Sequence, residues 1–155
     1  MKEMISILFS LFLMIMPSLS GEAQIGSRPV HPQGVTEEEV KQFLDEYANL
    51  YMAMDFEGFM ALFSEGAVEN RMFPYADIQR IYQKHFGKSR SLQYTLKILT
   101  IQNYAQSAFV SGRYQFIQTP KRGRRSVYQG SIQFDLVREN GSLKIRELNY
   151  SRDKK

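Results

Sequence analysis

The apolar residues of this chain change their spacing once, near Ser89, and that change decides what the chain can fold into. Before Ser89 they recur every three or four residues. Val40, Phe43, Leu44, Tyr47, Leu50, Tyr51 and Met54 make one such stripe, the period of a helix with one buried face. After Ser89 they alternate with polar residues. Leu92, Tyr94, Leu96 and Ile98 form one set; Ala108, Val110, Gly112, Tyr114 and Phe116 a second; Tyr128, Gly130, Ile132, Phe134 and Leu136 a third. A period of two marks strands that bury one face. Helices first and long strands after them predict an α+β domain, with helices laid on one face of a mostly antiparallel sheet.

Local signals refine this order. Thr36-Glu37-Glu38-Glu39 reads as a capping box at the start of the first helix. Asp55 ends that helix and caps a shorter one, whose buried face is Phe59, Met60, Leu62 and Phe63 and which Gly66 closes. Ala67 to Asn70 is a short strand. Asp77 to Phe86 is a third helix, with Ile78, Ile81, Tyr82 and His85 on one side and Gly87 as its stop. Leu99 and Ile101 carry the apolar set on the opposite parity to Leu92–Ile98, which predicts a bulge. The last strand shows the same switch between Leu143/Ile145 and Leu148/Tyr150. Asn140-Gly141 is a hairpin turn. Bulges curl a sheet, and a curled sheet over a long helix encloses a conical cavity.

The N-terminus reads as an export signal. Lys2 precedes a 13-residue apolar run, Met4 to Met16, ended by Pro17 and followed by small residues through Ala23. A membrane-spanning helix needs roughly 20 apolar residues, so the expectation is a signal peptide over 1–23, a periplasmic or secreted product, and no stable span after cleavage. Cleavage would remove Lys2, Glu3 and Glu22. That leaves 19 basic against 14 acidic residues and moves the formal charge from +4 to +5. Residues 24–35, with Gly26, Pro29, Pro32 and Gly34, read as a linker, and 36–152 as the single folded domain. The absence of cysteine excludes disulfides, thiolate metal sites and a cysteine nucleophile. With His31 in the linker and His85 the only other histidine, no zinc set is expected, nor any cofactor.

The run from Tyr47 through Asp55, Phe56, Glu57 and Gly58 to Phe63, continuing into Ala67-Val68-Glu69-Asn70, resembles the helix, "gD" turn, second helix and short strand of the NTF2-like superfamily. That superfamily includes ketosteroid isomerase and SnoaL-type cyclases. Gly141-Ser142-Leu143-Lys144-Ile145 resembles its "G-x-W-x-I" strand, with Leu143 in place of Trp. The likeness covers about 36–152. It is narrowest to the NTF2-like domains found C-terminal to some bacterial L,D-transpeptidases, although no transpeptidase Cys-His motif is present here. The resemblance implies an NTF2-like cone, N-terminal helices on a curved sheet, and a homodimer.

It also supplies a test for chemistry. Ketosteroid isomerase needs a carboxylate base and an oxyanion hole of a tyrosine and a protonated aspartic acid. By its distance from Asp55, Tyr47 matches the family tyrosine. The base position falls on Asn70, whose amide takes no proton at neutral pH. Glu69 is adjacent and, as a strand neighbour, points to the opposite face. The third member falls near Gln133 or Asp135. The leading expectation is therefore a non-catalytic cone that binds a small hydrophobic or aromatic ligand, or an envelope component, through Tyr47, Asn70, Tyr94, Tyr114 and Tyr128. The competing expectation is an isomerase, dehydratase or hydrolase with Glu69 or Asp135 as base and Tyr47 as oxyanion donor. Each tyrosine also fits ordinary core filling, Asn70 also fits a turn, and His85 fits a helix end whose carbonyls it bonds. About 12 Å of helix rise between them argues against a His85–Asp77 pair.

A third expectation concerns Lys121, Arg122, Arg124 and Arg125, four cations in five residues at a hairpin tip. They suit an interaction with anionic polymer, lipid headgroups or another protein; the alternative is a solvated tip that blocks edge pairing. No aromatic platform accompanies them, so nucleic acid is not the expected partner. Gln129, Ser131, Gln133 and Asp135, with Ser111, Arg113 and Gln115, give the sheet a second, polar face that suits water or a wet dimer interface.

Overall fold

The computed structural model describes residues 34–154. The expected signal peptide and residues 24–33 of the linker lie outside them. Val35, read as the end of the linker, is buried, and its amide donates to the Tyr104 carbonyl at 3.1 Å. The fold is therefore anchored one residue before the cap of its first helix.

Helix α1 spans Glu37–Ala53 and buries Val40, Phe43, Leu44, Tyr47 and Tyr51 along the stripe read from the sequence. Thr36 caps it, its hydroxyl accepting from the Glu39 amide at 3.2 Å. Glu39 reaches across the molecule, its two oxygens accepting from the Arg138 guanidinium at 2.6 and 2.7 Å. This fork holds the Glu39 carboxyl below the usual carboxylate range. Met54 ends α1 in a left-handed conformation, with φ 55°. Asp55 caps α2 (Phe56–Ala61) by accepting from the Gly58 amide at 3.0 Å.

The next element corrects the sequence reading. Gly66 does not close α2; it lies inside strand β1, Phe63–Glu69, which begins directly after Leu62. A two-residue strand β2, Phe73–Pro74, follows. Helix α3 runs Tyr75–Lys88, so Gly87 sits in its last turn and does not stop it. Ile78, Tyr82 and Phe86 form its buried face, while Ile81 is 37% exposed.

Four long strands complete the chain: β3 Ser89–Asn103, β4 Ser107–Pro120, β5 Ser126–Glu139 and β6 Ser142–Arg152. The six-stranded sheet has the order β2-β1-β6-β5-β4-β3, antiparallel except where β1 runs parallel to β6. Both expected bulges are present. In β3 the register skips Leu99, between Ile98 opposite Gly112 and Thr100 opposite Ser111. In β6 it skips Arg146, between Ile145 opposite Leu136 and Glu147 opposite Asp135. Leu99, the extra residue, turns outward and is 58% exposed, so Ile101 alone resumes the inner face. The core is the concave face of the sheet, with Phe134, Leu136, Ile145 and Leu148 fully enclosed against the helices.

Candidate functional site

The concave face is packed solidly at the Leu136–Ile145 end and hollow toward the β4–β5 hairpin. There a cavity of about 170 Å3 opens. Helix α1 contributes Tyr47 and Tyr51, and α3 contributes Ile81, Tyr82 and His85. The sheet contributes Tyr94, Tyr114, Phe116, Ile132, Tyr150 and Arg152. The two periods read from the sequence meet here. Tyr47 and Tyr51 are one helical turn apart, and Tyr94, Tyr114 and Ile132 are inward positions of successive strands.

The rings hold one another. Tyr47 meets Phe134 edge-on with centroids 5.2 Å apart, and Tyr94 at 5.7 Å. Tyr94 and Tyr114 stack at 6.5 Å, and Tyr51 and Tyr94 approach to 5.1 Å. Such offset and edge contacts add stability beyond area burial, so the walls are preorganised. The hydroxyls are less well served. Those of Tyr94 and Tyr114 are buried without a hydrogen-bond partner in the protein. The Tyr47 hydroxyl lies close to that of Tyr94 without meeting hydrogen-bond geometry. Burial pushes the Tyr47, Tyr51, Tyr82 and Tyr94 phenols above the usual tyrosine range, so all remain protonated donors.

One polar pair lines the cavity and a second lies partly behind its wall. His85 Nε2 lies 2.8 Å from the Tyr51 hydroxyl, and burial holds the imidazole below the usual histidine range. The expected contact with helix-terminal carbonyls is not what occupies this side chain: α3 runs three residues past His85, which places it on a half-buried face toward α1. The second pair is Glu69, fully buried, whose Oε1 accepts from the Tyr150 hydroxyl at 2.6 Å. Its Oε2 has no partner. Burial raises the Glu69 carboxyl above the ordinary 4.5, against the hydroxyls of Tyr150 and Tyr82, which pull it back.

The structure brings Tyr47, Tyr94 and Tyr114 to one cavity and leaves other candidates outside it. Asn70 is on the far side. It has φ 50°, its amide donates to the Leu148 carbonyl, and its Oδ1 accepts from the Tyr150 amide at 2.8 Å. It shapes the turn between β1 and β2. The inner residues of β1 are Ala67 and Glu69, so Glu69 is the carboxylate under the cone and the parity of Asn70 excludes it. Asp135 is also outside. It lies on the convex face, where Arg146 Nη2 reaches its Oδ2 at 2.7 Å. Tyr128 sits one row beyond the cavity, stacked on Phe116 at 4.6 Å and covered by the Arg152 guanidinium at 4.2 Å.

Lys121, Arg122, Arg124 and Arg125 are exposed at the β4–β5 hairpin. The Lys121 amide donates to the Lys88 carbonyl, so the end of α3 adds Lys88 to the tip. The convex face is polar as expected, with Ser131 and Ser151 hydroxyls 3.2 Å apart and Arg113 bonded to Asp153. Sequence reasoning missed Tyr51, Tyr82, Tyr150 and Arg152 as cavity residues. The first two were legible as helix-stripe positions, and Tyr150 as the inner parity after the second bulge.

No family model matches this chain, and no curated protein matches it either. Solved structures do. A ketosteroid isomerase-like protein from Erwinia carotovora atroseptica matches with a TM-score of 0.63 at 16% identity, over 78% of this chain and 100% of that one. A candidate scytalone dehydratase from Novosphingobium aromaticivorans matches with a TM-score of 0.65 at 14% identity, over 76% and 83%. A candidate aromatic ring hydroxylase from the same organism matches with a TM-score of 0.68 at 16% identity, over 76% and 89%. At these identities the likeness concerns the fold. The chain has the NTF2-like cone fold, N-terminal helices seated on a curved six-stranded sheet.

Proposed function

We propose that this is an exported cone domain that binds a small aromatic molecule in its tyrosine-walled cavity. The observation that carries the reading is the pair of buried tyrosine hydroxyls, Tyr94 and Tyr114, that no protein group satisfies. A buried donor without a partner costs about 1–3 kcal/mol, and a ligand oxygen would recover that cost. Volume sets the ligand's size. A drug-sized molecule needs roughly 300 Å3 or more, whereas about 170 Å3 is present. An apolar cavity of about 150 Å3 accommodates benzene, so the fit is to one ring with small substituents. The export half of the reading rests on Lys2, the Met4–Met16 run and the small residues before Ala23. The narrower likeness to domains beside L,D-transpeptidases rests on sequence alone.

The test is titration with phenol and benzamide, followed by amide chemical shifts. Saturable shifts around Tyr94 and Tyr114 are expected. Ile81→Trp should abolish them, because an indole from this partly exposed wall position plugs the cavity while the melting temperature holds. Absence of any saturable shift with either ring would overturn the reading.

Glu69 favours a second reading, acid–base catalysis on the bound ring. A carboxyl whose pKa burial raises, hydrogen-bonded to the cavity-wall Tyr150, is a candidate proton carrier. Here Glu69 would carry the proton, and Tyr47 would steady developing negative charge on a substrate oxygen. This reading requires the Glu69→Gln variant to keep binding and lose turnover.

A further inference from the structure

We infer that the ligand of this cavity is an aromatic carboxylate, its ring between the tyrosines and its carboxylate received at the mouth by the Arg152 guanidinium and the Tyr114 hydroxyl. The inference rests on the binding reading above and adds the charge and orientation of what binds. Arg152 is a cavity-lining cation with no carboxylate within 4 Å among the described residues. Asp153, its chain neighbour, is engaged by Arg113. The guanidinium is not loose: it lies 4.2 Å over the Tyr128 ring, which is itself stacked on Phe116. Cation–π contact fixes the plane of the fork and leaves its N–H edge free for an anion.

Tyr114 supplies the second donor. The residue is 5% exposed and its hydroxyl has no partner. Tyr114 and Arg152 both face Gly130 in register, one from each side, and both line the cavity, so the two donors share one neighbourhood. A carboxylate has two oxygens and accepts from both. A neutral amide or phenol can use only part of this pair.

Polarity along the cavity gives the orientation. Glu69, buried behind the Tyr150 wall and accepting from its hydroxyl, would repel an anion whenever ionised, while Arg152 is a lining residue exposed to solvent. The carboxylate therefore faces out and the ring points in. Seven tyrosine and phenylalanine rings surround that ring, and no second cationic side chain lines the cavity beside Arg152, since burial lowers the pKa of His85. One carboxylate, not two, is what the site can neutralise.

The test uses benzoate and benzamide, isosteric rings that differ in charge, on the full chain and on its Arg152→Gln and Tyr114→Phe variants. Benzoate should bind about tenfold tighter than benzamide, the gain expected of one charge-assisted interaction. Arg152→Gln should remove that preference by weakening benzoate about tenfold, with a much smaller effect on benzamide. Arg152 is exposed, so the variant should fold, and a melting curve checks it. Tyr114→Phe should weaken benzoate by a smaller factor. Equal affinity of benzoate and benzamide, or a preference that survives Arg152→Gln, overturns this inference and leaves the binding reading standing. Failure of both ligands to bind overturns the two together.

Discussion

At the scale of the residue, Glu69 and His85 pull the stability of the domain in opposite directions with pH. The Glu69 carboxyl is raised by burial above its ordinary 4.5, so the folded state holds its proton more tightly than the unfolded state. Its stabilising share is complete below pH 4.5 and is lost as pH rises through the folded value. His85 is depressed below 6.5, again by burial. The unfolded state takes up that proton first, so stability falls as pH drops below 6.5 toward the folded value. Glu69→Gln isolates the first effect: its amide oxygen still accepts from Tyr150, and it cannot ionise. We expect wild-type melting temperature, corrected for the His85 slope, to decline above pH 4.5 and the variant to lose that decline. An identical slope in both proteins would mean that Glu69 carries no penalty. Glu69 also marks where sequence reading stops. Its alternation with Asn70 was legible, but which of the two faced inward depended on Ala67, an inner residue too small to announce the face. Asn70 spends its amide on the turn instead, and the left-handed φ there suits asparagine.

At the scale of the element, the strands were more legible than the helix ends. Period-two alternation, the Asn140-Gly141 turn and both parity switches transfer directly into β3–β6 and their two bulges. Gly66 and Gly87 misled because glycine punctuates only where the backbone needs it. In β1 and in the last turn of α3 neither has positive φ, and a Cβ at either would meet nothing within 4 Å. Gly130 is the contrasting case. A Cβ there would stand 1.7 Å from the Ser151 carbonyl oxygen, so β5 and β6 pair closely only because this side chain is absent. Gly130→Ala should cost about 2 kcal/mol or more and lower the melting temperature by roughly 8 °C. Gly66→Ala should stay within about 0.5 kcal/mol. Since Gly130 faces Arg152 in register, the first variant should also loosen the cavity mouth. Thermal melts of the pair decide it, and equal melting temperatures would contradict the close approach.

At the scale of the whole molecule, charge is sorted along the strands. β5 runs about 40 Å from the basic hairpin to the Arg138–Glu39 fork beside the acidic first turn of α1. Lys88 and Arg90 join Lys121, Arg122, Arg124 and Arg125 at the basic end, and none of the six forms an ion pair among the described residues. The sequence showed only the hairpin's share, because Lys88 and Arg90 are distant in the chain and adjacent only through the β3–β4 pairing. Vesicles containing anionic phospholipid should bind this end at low salt and release it at high salt. Arg124→Glu with Arg125→Glu should weaken binding by about 30-fold or more. Co-sedimentation measures this, and unchanged binding would remove the tip from any surface role.

The parallel pairing of β1 with β6 has a kinetic consequence. Phe63 meets Ile145, and Glu69 meets Leu148, across about eighty residues of intervening chain. Contacts of such long range form slowly, because loop closure comes before any of their reward. Glu69 and Tyr150, one on each of these strands, tie the buried core to the cavity wall. The helices and the β3–β5 meander can assemble locally while the pocket is still open on one side. Contact range places the docking of β6 on β1 late in folding, and the cavity proposed above as a binding site closes only with it.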